Sequence, residues 1–167
     1  MKTTDKSTQT IFFAHHLWAN LRLIEVCQTL TDEQLTHVAV GTFGSIRETL
    51  AHIVRAEERY LTFLIGQEFT NVPKPDATTP LEELRDRAQQ SGIALQTLAG
   101  QKPPDQEVKV GDSKEAEMLP AQILFLQAIH HAQEHRTQVA TILGQLGIEP
   151  PNLSGWDYYD QVIASTE

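Results

Sequence analysis

The chain has 167 residues, 40% of them hydrophobic, which is enough for one folded domain with a sizeable core. Acidic residues outnumber basic ones by 22 to 13, and the formal net charge of -9 disfavours phosphate backbones and anionic membrane surfaces as partners. The one cysteine, Cys27, excludes an internal disulfide and a paired-cysteine metal site.

The first ten residues are polar and lack the apolar centre of a signal peptide. No apolar run approaches the roughly 20 residues that span a bilayer. With the lone cysteine, this reads as a soluble cytoplasmic protein, a single domain over residues 1–167 behind a polar tail over 1–10.

Ile11 to Leu30 reads as the first helix, with Phe13, Ala14, Leu17, Leu21 and Ile24 as its apolar stripe. Thr31 and Gln34 have capping-box spacing and open a single further turn. Val38 to Gly44 carries two glycines without helical period and reads as a loop. Ser45 and Glu48 form a second capping box, opening a helix that runs to about Ile65 and ends at Gly66. Its main stripe is Ile46, Leu50, Ile53, Tyr60, Leu61 and Leu64.

A proline-containing loop follows, from Phe69 to Thr78. Thr79 as N-cap and Pro80 at the first helical position predict a third helix, running to about Leu98 and stopping at Gly100, with Gly92 an unfavourable interior residue. Gln101 to Met118 contains an alternating stretch, Glu107 to Val110, and a turn signal at Gly111-Asp112; it reads as a small hairpin or an irregular excursion. Pro120 opens the fourth long helix, through Leu146, with Gly147 as its stop. Ile148 to Glu167, with Trp156, Tyr158 and Tyr159, reads as an aromatic tail laid over the helices. Four amphipathic helices with little strand content predict an all-α four-helix bundle with a long connection between its third and fourth helices.

Within the last long helix, His131 and His135 stand four residues apart. At about 100° per residue, such a pair lies nearly one above the other and can share one metal ion. His131 shares its face with Leu124, Ala128, Gln138 and Ile142, at the border of the apolar stripe, where a side chain can look inward. The spacing alone also fits two histidines on a wet helix face. His52 lies on the second helix, off its main stripe, on a side shared with Thr49, Ala56 and Phe63, and periodicity does not decide between a ligand and an exposed residue. His130 points about 100° away from His131 and reads as exposed. His16 sits at the edge of the first stripe, where it could line a pocket or hydrogen-bond a ligand. Trp18 reads as packing, and Cys27 has no neighbour that would activate it as a nucleophile; Glu57 and Glu134 read as solvated helix-face residues, the other reading for each being a carboxylate partner of a metal-bound histidine or a general base.

Four patterns in order along the chain resemble the DinB-like (DinB/YfiT) superfamily: Leu17-Trp18-Ala19-Asn20; Leu50-Ala51-His52-Ile53 followed by Glu57; His131-Ala132-Gln133-Glu134-His135-Arg136-Thr137-Gln138; and Gly155-Trp156-Asp157-Tyr158. The resemblance implies an up-down-down-up four-helix bundle, commonly a homodimer. It also implies one divalent metal ion held by His52, His131 and His135, zinc or nickel first, with iron or manganese as other candidates. Thr137 stands where that pattern commonly has glycine, which bears on local packing but on no ligand.

Relatives of this kind include thiol-dependent S-transferases and isomerases, and others resemble hydrolases. The expected activity is therefore that of a metal-dependent enzyme using a low-molecular-weight thiol or water against a small electrophilic substrate. A three-histidine ion with an open position can deprotonate a thiol or a water at neutral pH. The alternative is a metal-binding or interaction protein without catalysis. The sequence assigns no catalytic residue.

Overall fold

The computed structural model describes residues 7–67, 73–103, 105–111 and 116–166. The start of the polar tail, the first half of the Phe69–Thr78 loop and the Asp112 half of the predicted turn lie outside the described residues.

Four long helices carry the fold: α1 (Thr8–Cys27), α3 (Ile46–Ile65), α4 (Leu81–Gln101) and α5 (Ala121–Gln145). A one-turn helix, α2 (Asp32–Leu35), lies between α1 and α3. Two short antiparallel strands, β1 (Glu107–Val110) and β2 (Glu117–Pro120), pair Val108 with Leu119, so the region read as hairpin or excursion is a hairpin. A short helix, α6 (Gly155–Tyr158), continues into a π-helical turn, Tyr159–Ile163, and a final 3-10 turn.

The local signals explain most boundaries. Ser45 and Glu48 close a reciprocal capping box at the start of α3, and Thr31 and Gln34 do the same for α2. Gly66 and Gly147 end α3 and α5 in left-handed backbone, with φ of 72° and 73°, a conformation that costs a residue with a Cβ. Two starts differ from expectation. Helix α1 begins at Thr8, inside the predicted polar tail, because the Ser7 hydroxyl accepts from the Thr10 amide and caps it. Helix α4 begins at Leu81 rather than Pro80, with no side-chain cap, because the Thr79 hydroxyl is turned back to the Asp76 amide. It also runs one residue past Gly100, which is exposed in the last turn.

Helix α4 packs along α1 and α3, and α5 packs along α3 and, more lightly, α1. Gly92 has a reason to interrupt α4: a Cβ there would lie 2.6 Å from Leu17 Cδ1, so its absence lets α1 and α4 approach closely. The core falls into two clusters. One joins Leu23 and Cys27 of α1, Ile46 and Leu50 of α3, Leu84 of α4, and Ile142 and Leu143 of α5. The other joins Phe13, Phe63 and Leu64, Leu95, and Ala121 to Ala128.

Between the two clusters along α1, α3 and α4 stand the buried polar residues His16, Asn20, Glu57 and Ser91. This displaces the expected stripe of α1. Ala14, Leu17 and Leu21 are only half-buried, while His16 and Asn20 occupy the most buried face. A hydrophobicity count misplaces that face because its centre is polar.

The tail packs on the helices through Ile148 and Leu153, which lie against the first core cluster. The His15 ring donates to the Leu153 carbonyl at 2.8 Å, and the Tyr158 ring packs 5.4 Å from Trp18 and 5.6 Å from His15. Trp18 therefore has the packing role expected of it. Trp156, in contrast, is 82% exposed. Among the described residues, no helix is long and apolar enough to cross a membrane.

Candidate metal centre

His52 stands near the middle of α3 on the side that meets α5, between the buried Thr49 and the half-buried Ala56. Helix periodicity left that side unassigned, and the packing of α3 on α5 assigns it. From α5, His131 and His135 face the same point. One ligand atom from each of the three rings fits within a set whose members all lie within 4.8 Å of one another. The Nε2 atoms of His52 and His131 are 3.0 Å apart. Two nitrogens each about 2.0–2.1 Å from a tetrahedral ion would sit about 3.3 Å apart, so the spacing suits a shared ion.

The third ring is held from behind. The His135 Nδ1–H donates to Gln138 Oε1 at 2.9 Å, which leaves Nε2 as the free ligand atom. The same Gln138 oxygen accepts the Phe43 amide at 3.0 Å, tying the glycine-rich loop to α5. That bond places the Phe43 ring flat on His52, with centroids 4.1 Å apart, and edge-on to His135 at 5.3 Å. Phe43 and Gln138 were not singled out as site residues by sequence reasoning. Gln138 had a visible signal, three residues after His135 on one helix face, whereas Phe43 had none, because it comes from a loop.

Electrostatics favour the ligand form of these rings. Burial, then the like charges of His135 and His52, push His131 down to about 4 from the ordinary 6.5. Burial first, then His135 and Lys74, hold His52 below its ordinary value. A neutral imidazole is the form that binds a metal. The donor set, the convergence and the orientation of His135 all fit a divalent ion.

One side of the site opens on a cleft of about 550 Å³. His52 and His131 line it together with Arg55, Arg59, Tyr60 and Lys74, and Val110 of the hairpin forms part of its wall.

The other histidines and acids take different places. His130, His37 and Glu134 are exposed, as expected for the first and last. Cys27 is fully buried, and burial pushes its thiol up to about 12, which leaves it inert. Thr137 is exposed and its hydroxyl donates to the Gln133 carbonyl, so the departure from glycine there disturbs no helix packing.

Glu57 is not the solvated residue that its sequence context suggested. It is 3% exposed, and its carboxylate accepts from Asn20 Nδ2 at 2.9 Å, Ser91 Oγ at 2.8 Å and the His16 ring at 3.0 Å. Asn20 in turn accepts from Arg136 Nη1 at 2.6 Å. Arg136 is 2% exposed, and burial pulls its guanidinium down to about 10 against the opposing pull of Glu57. His16 is thus a core residue bonded to Glu57. The motif residues Asn20, Glu57 and Arg136 meet in this buried network.

The profile of the DinB family matches residues 1–164. The chain belongs to the DinB family. No curated protein matches the sequence. The three histidines brought together here are compatible with metal binding by this DinB-family chain.

Proposed function

We propose that this DinB-family protein is a metal-dependent enzyme in which His52, His131 and His135 hold one divalent ion, zinc or nickel before iron or manganese. It acts on a small electrophilic molecule with a low-molecular-weight thiol or water as the attacking group, as a thiol-dependent S-transferase or a hydrolase. The observation that carries this reading is the convergence of three imidazoles from two helices beside an open cleft, which His52 and His131 line. When bound, the ion supplies a nucleophile at neutral pH by lowering the pKa of a thiol or water.

The chain's own residues do the rest. His131 and His52 stay neutral as ligands because burial disfavours their charged forms. Gln138 fixes the tautomer and the ring orientation of His135. Phe43 covers one face of His52 and shields it from water on that side. A non-catalytic metal protein would favour a site closed by a fourth protein ligand; the group among the described residues has three members and a cleft beside it.

The same proposal includes a single domain over residues 1–167, a homodimer and a cytoplasmic location. The up-down-down-up order of the bundle belongs to it as well. In support, one core cluster joins the ends of α1 and α5 to the starts of α3 and α4, and the other joins the opposite ends.

The test has two parts. Purified protein is expected to carry about one divalent ion per chain by elemental analysis, and His135→Ala to lose most of it while keeping its helical circular dichroism. Metal-loaded protein is then expected to accelerate loss of an electrophilic test compound when a thiol is added. Stoichiometric metal in His135→Ala would remove that residue from the site, and no acceleration with any of several thiols would turn the reading toward hydrolysis.

A further inference from the structure

A groove between the N-terminal halves of α1 and α5 plays no part in the metal centre. Phe13 and Phe125 are buried along it, with their rings edge to face at 5.5 Å. Phe12 of α1 and Ile123 and Leu126 of α5 line it, and the space between is about 320 Å³. Phe12 is 56% exposed, Leu126 is 55% exposed and Ile123 stands in water beside them. Large apolar side chains gathered on one face mark a surface built to be covered.

The sequence leaves this face without charge. Ser7 to Leu21 and Met118 to Gln133 contain no Asp, Glu, Lys or Arg, although 21% of the whole chain is charged. Burial does not account for it. The exposed positions of α5 before Gln133 hold Gln122, Ile123, Leu126, Gln127 and His130, whereas those early in α4 hold Glu82, Glu83 and Asp86. The two uncharged runs are far apart in sequence, and the fold sets them on either side of one groove. Among the described residues, no charged side chain lines it.

We propose that this face receives a second copy of the chain, with α1 and α5 of one protomer against α1 and α5 of its partner. The proposal rests on the homodimer reading above and supplies the surface that the resemblance leaves open. Two copies of net charge -9 repel each other, and contact through an uncharged face keeps that cost low. A two-fold interface presents the same residues from both sides, so it must carry its own ridges and its own groove. Both are here, since Phe12 and Leu126 stand out beside the groove they line. A basic partner would instead call for acids, which this face lacks.

The test is the mass of the full-length protein in solution. Sedimentation velocity at up to about 100 μM is expected to give twice the chain mass of 18.7 kDa. Phe12→Glu and Leu126→Glu are each expected to raise the dimer dissociation constant at least about thirtyfold, the scale of a central apolar contact at an interface. Helical circular dichroism is expected to be retained in both, and Phe12→Ser, which adds no charge, guards against a folding artefact. Ile93→Glu, at an exposed apolar position on α4, is expected to leave the dimer intact. Raising salt from about 0.1 to 1 M is expected to tighten association, because it screens the repulsion between like-charged copies.

None of these residues belongs to the three-histidine group, so zinc content is expected to stay unchanged in every variant. A wild-type protein that stays monomeric overturns both the homodimer reading and this face, and leaves the groove to a partner of another kind. A dimer that ignores Phe12→Glu and Leu126→Glu, or that Ile93→Glu breaks equally, overturns this face while the homodimer reading stands.

Discussion

Glu57→Gln is the most demanding single test of the buried network. The substitution keeps the size of the side chain, so it opens no cavity. It removes the negative charge nearest Arg136 in a region where Glu57 is 3% and Arg136 is 2% exposed. It also puts an amide NH2 where the carboxylate accepts from His16, Asn20 and Ser91, so at least one of those donors loses its acceptor. Breaking a buried ion pair costs about 3–5 kcal/mol. The contact here runs through Asn20 rather than directly, and the substituted amide retains one acceptor oxygen, so the lower end, about 3 kcal/mol, applies.

In urea, with a slope of about 2 kcal/mol per molar, this moves the unfolding midpoint down by about 1.5 M with the slope unchanged. Glu134→Gln, on the exposed face of α5, is the control and is expected to stay within about 0.5 kcal/mol. Adding Arg136→Met to Glu57→Gln is expected to cost less than the sum of the two single changes, because it removes the charge left unpaired. A Glu57→Gln midpoint within about 0.5 M of wild type would refute the idea that this carboxylate compensates Arg136 and its neighbours.

Gln138→Leu removes the acceptor of both His135 Nδ1 and the Phe43 amide, and is expected to weaken metal binding by about 10–100-fold in a competition titration while the helices persist. In metal-free protein, His131 is held down to about 4 from 6.5, so the unfolded chain binds more protons between those values. The stability due to this neutral ring is therefore complete above about pH 6.5 and is lost as pH falls toward about 4; urea midpoints at stepped pH are expected to show a shallower acid loss in His131→Asn. Gly92→Ala is expected to destabilise by about 1–2 kcal/mol despite alanine's better helix propensity, because its Cβ would meet Leu17 at 2.6 Å, and Leu17→Ala in the same chain is expected to recover part of the loss in thermal unfolding.

The sequence by itself determined the helices and most of their ends. Capping boxes at Thr31 and Ser45 and stops at Gly66 and Gly147 are local interactions, complete within a few residues, so spacing reveals them. It also determined that His131 and His135 share a face, since four residues are about one turn. Tertiary structure decided what lies opposite those faces. His52 could be placed against α5 only by the packing of α3 on α5, and Phe43 reaches the site only because Gln138 binds its amide. The buried face of α1 was misread because His16 and Asn20 are polar and fall outside a stripe counted from apolar residues, and Glu57, Ser91 and Arg136 from three other helices offset the cost of burying them. A polar group's burial is fixed by its partners, and partners distant in sequence leave no local trace.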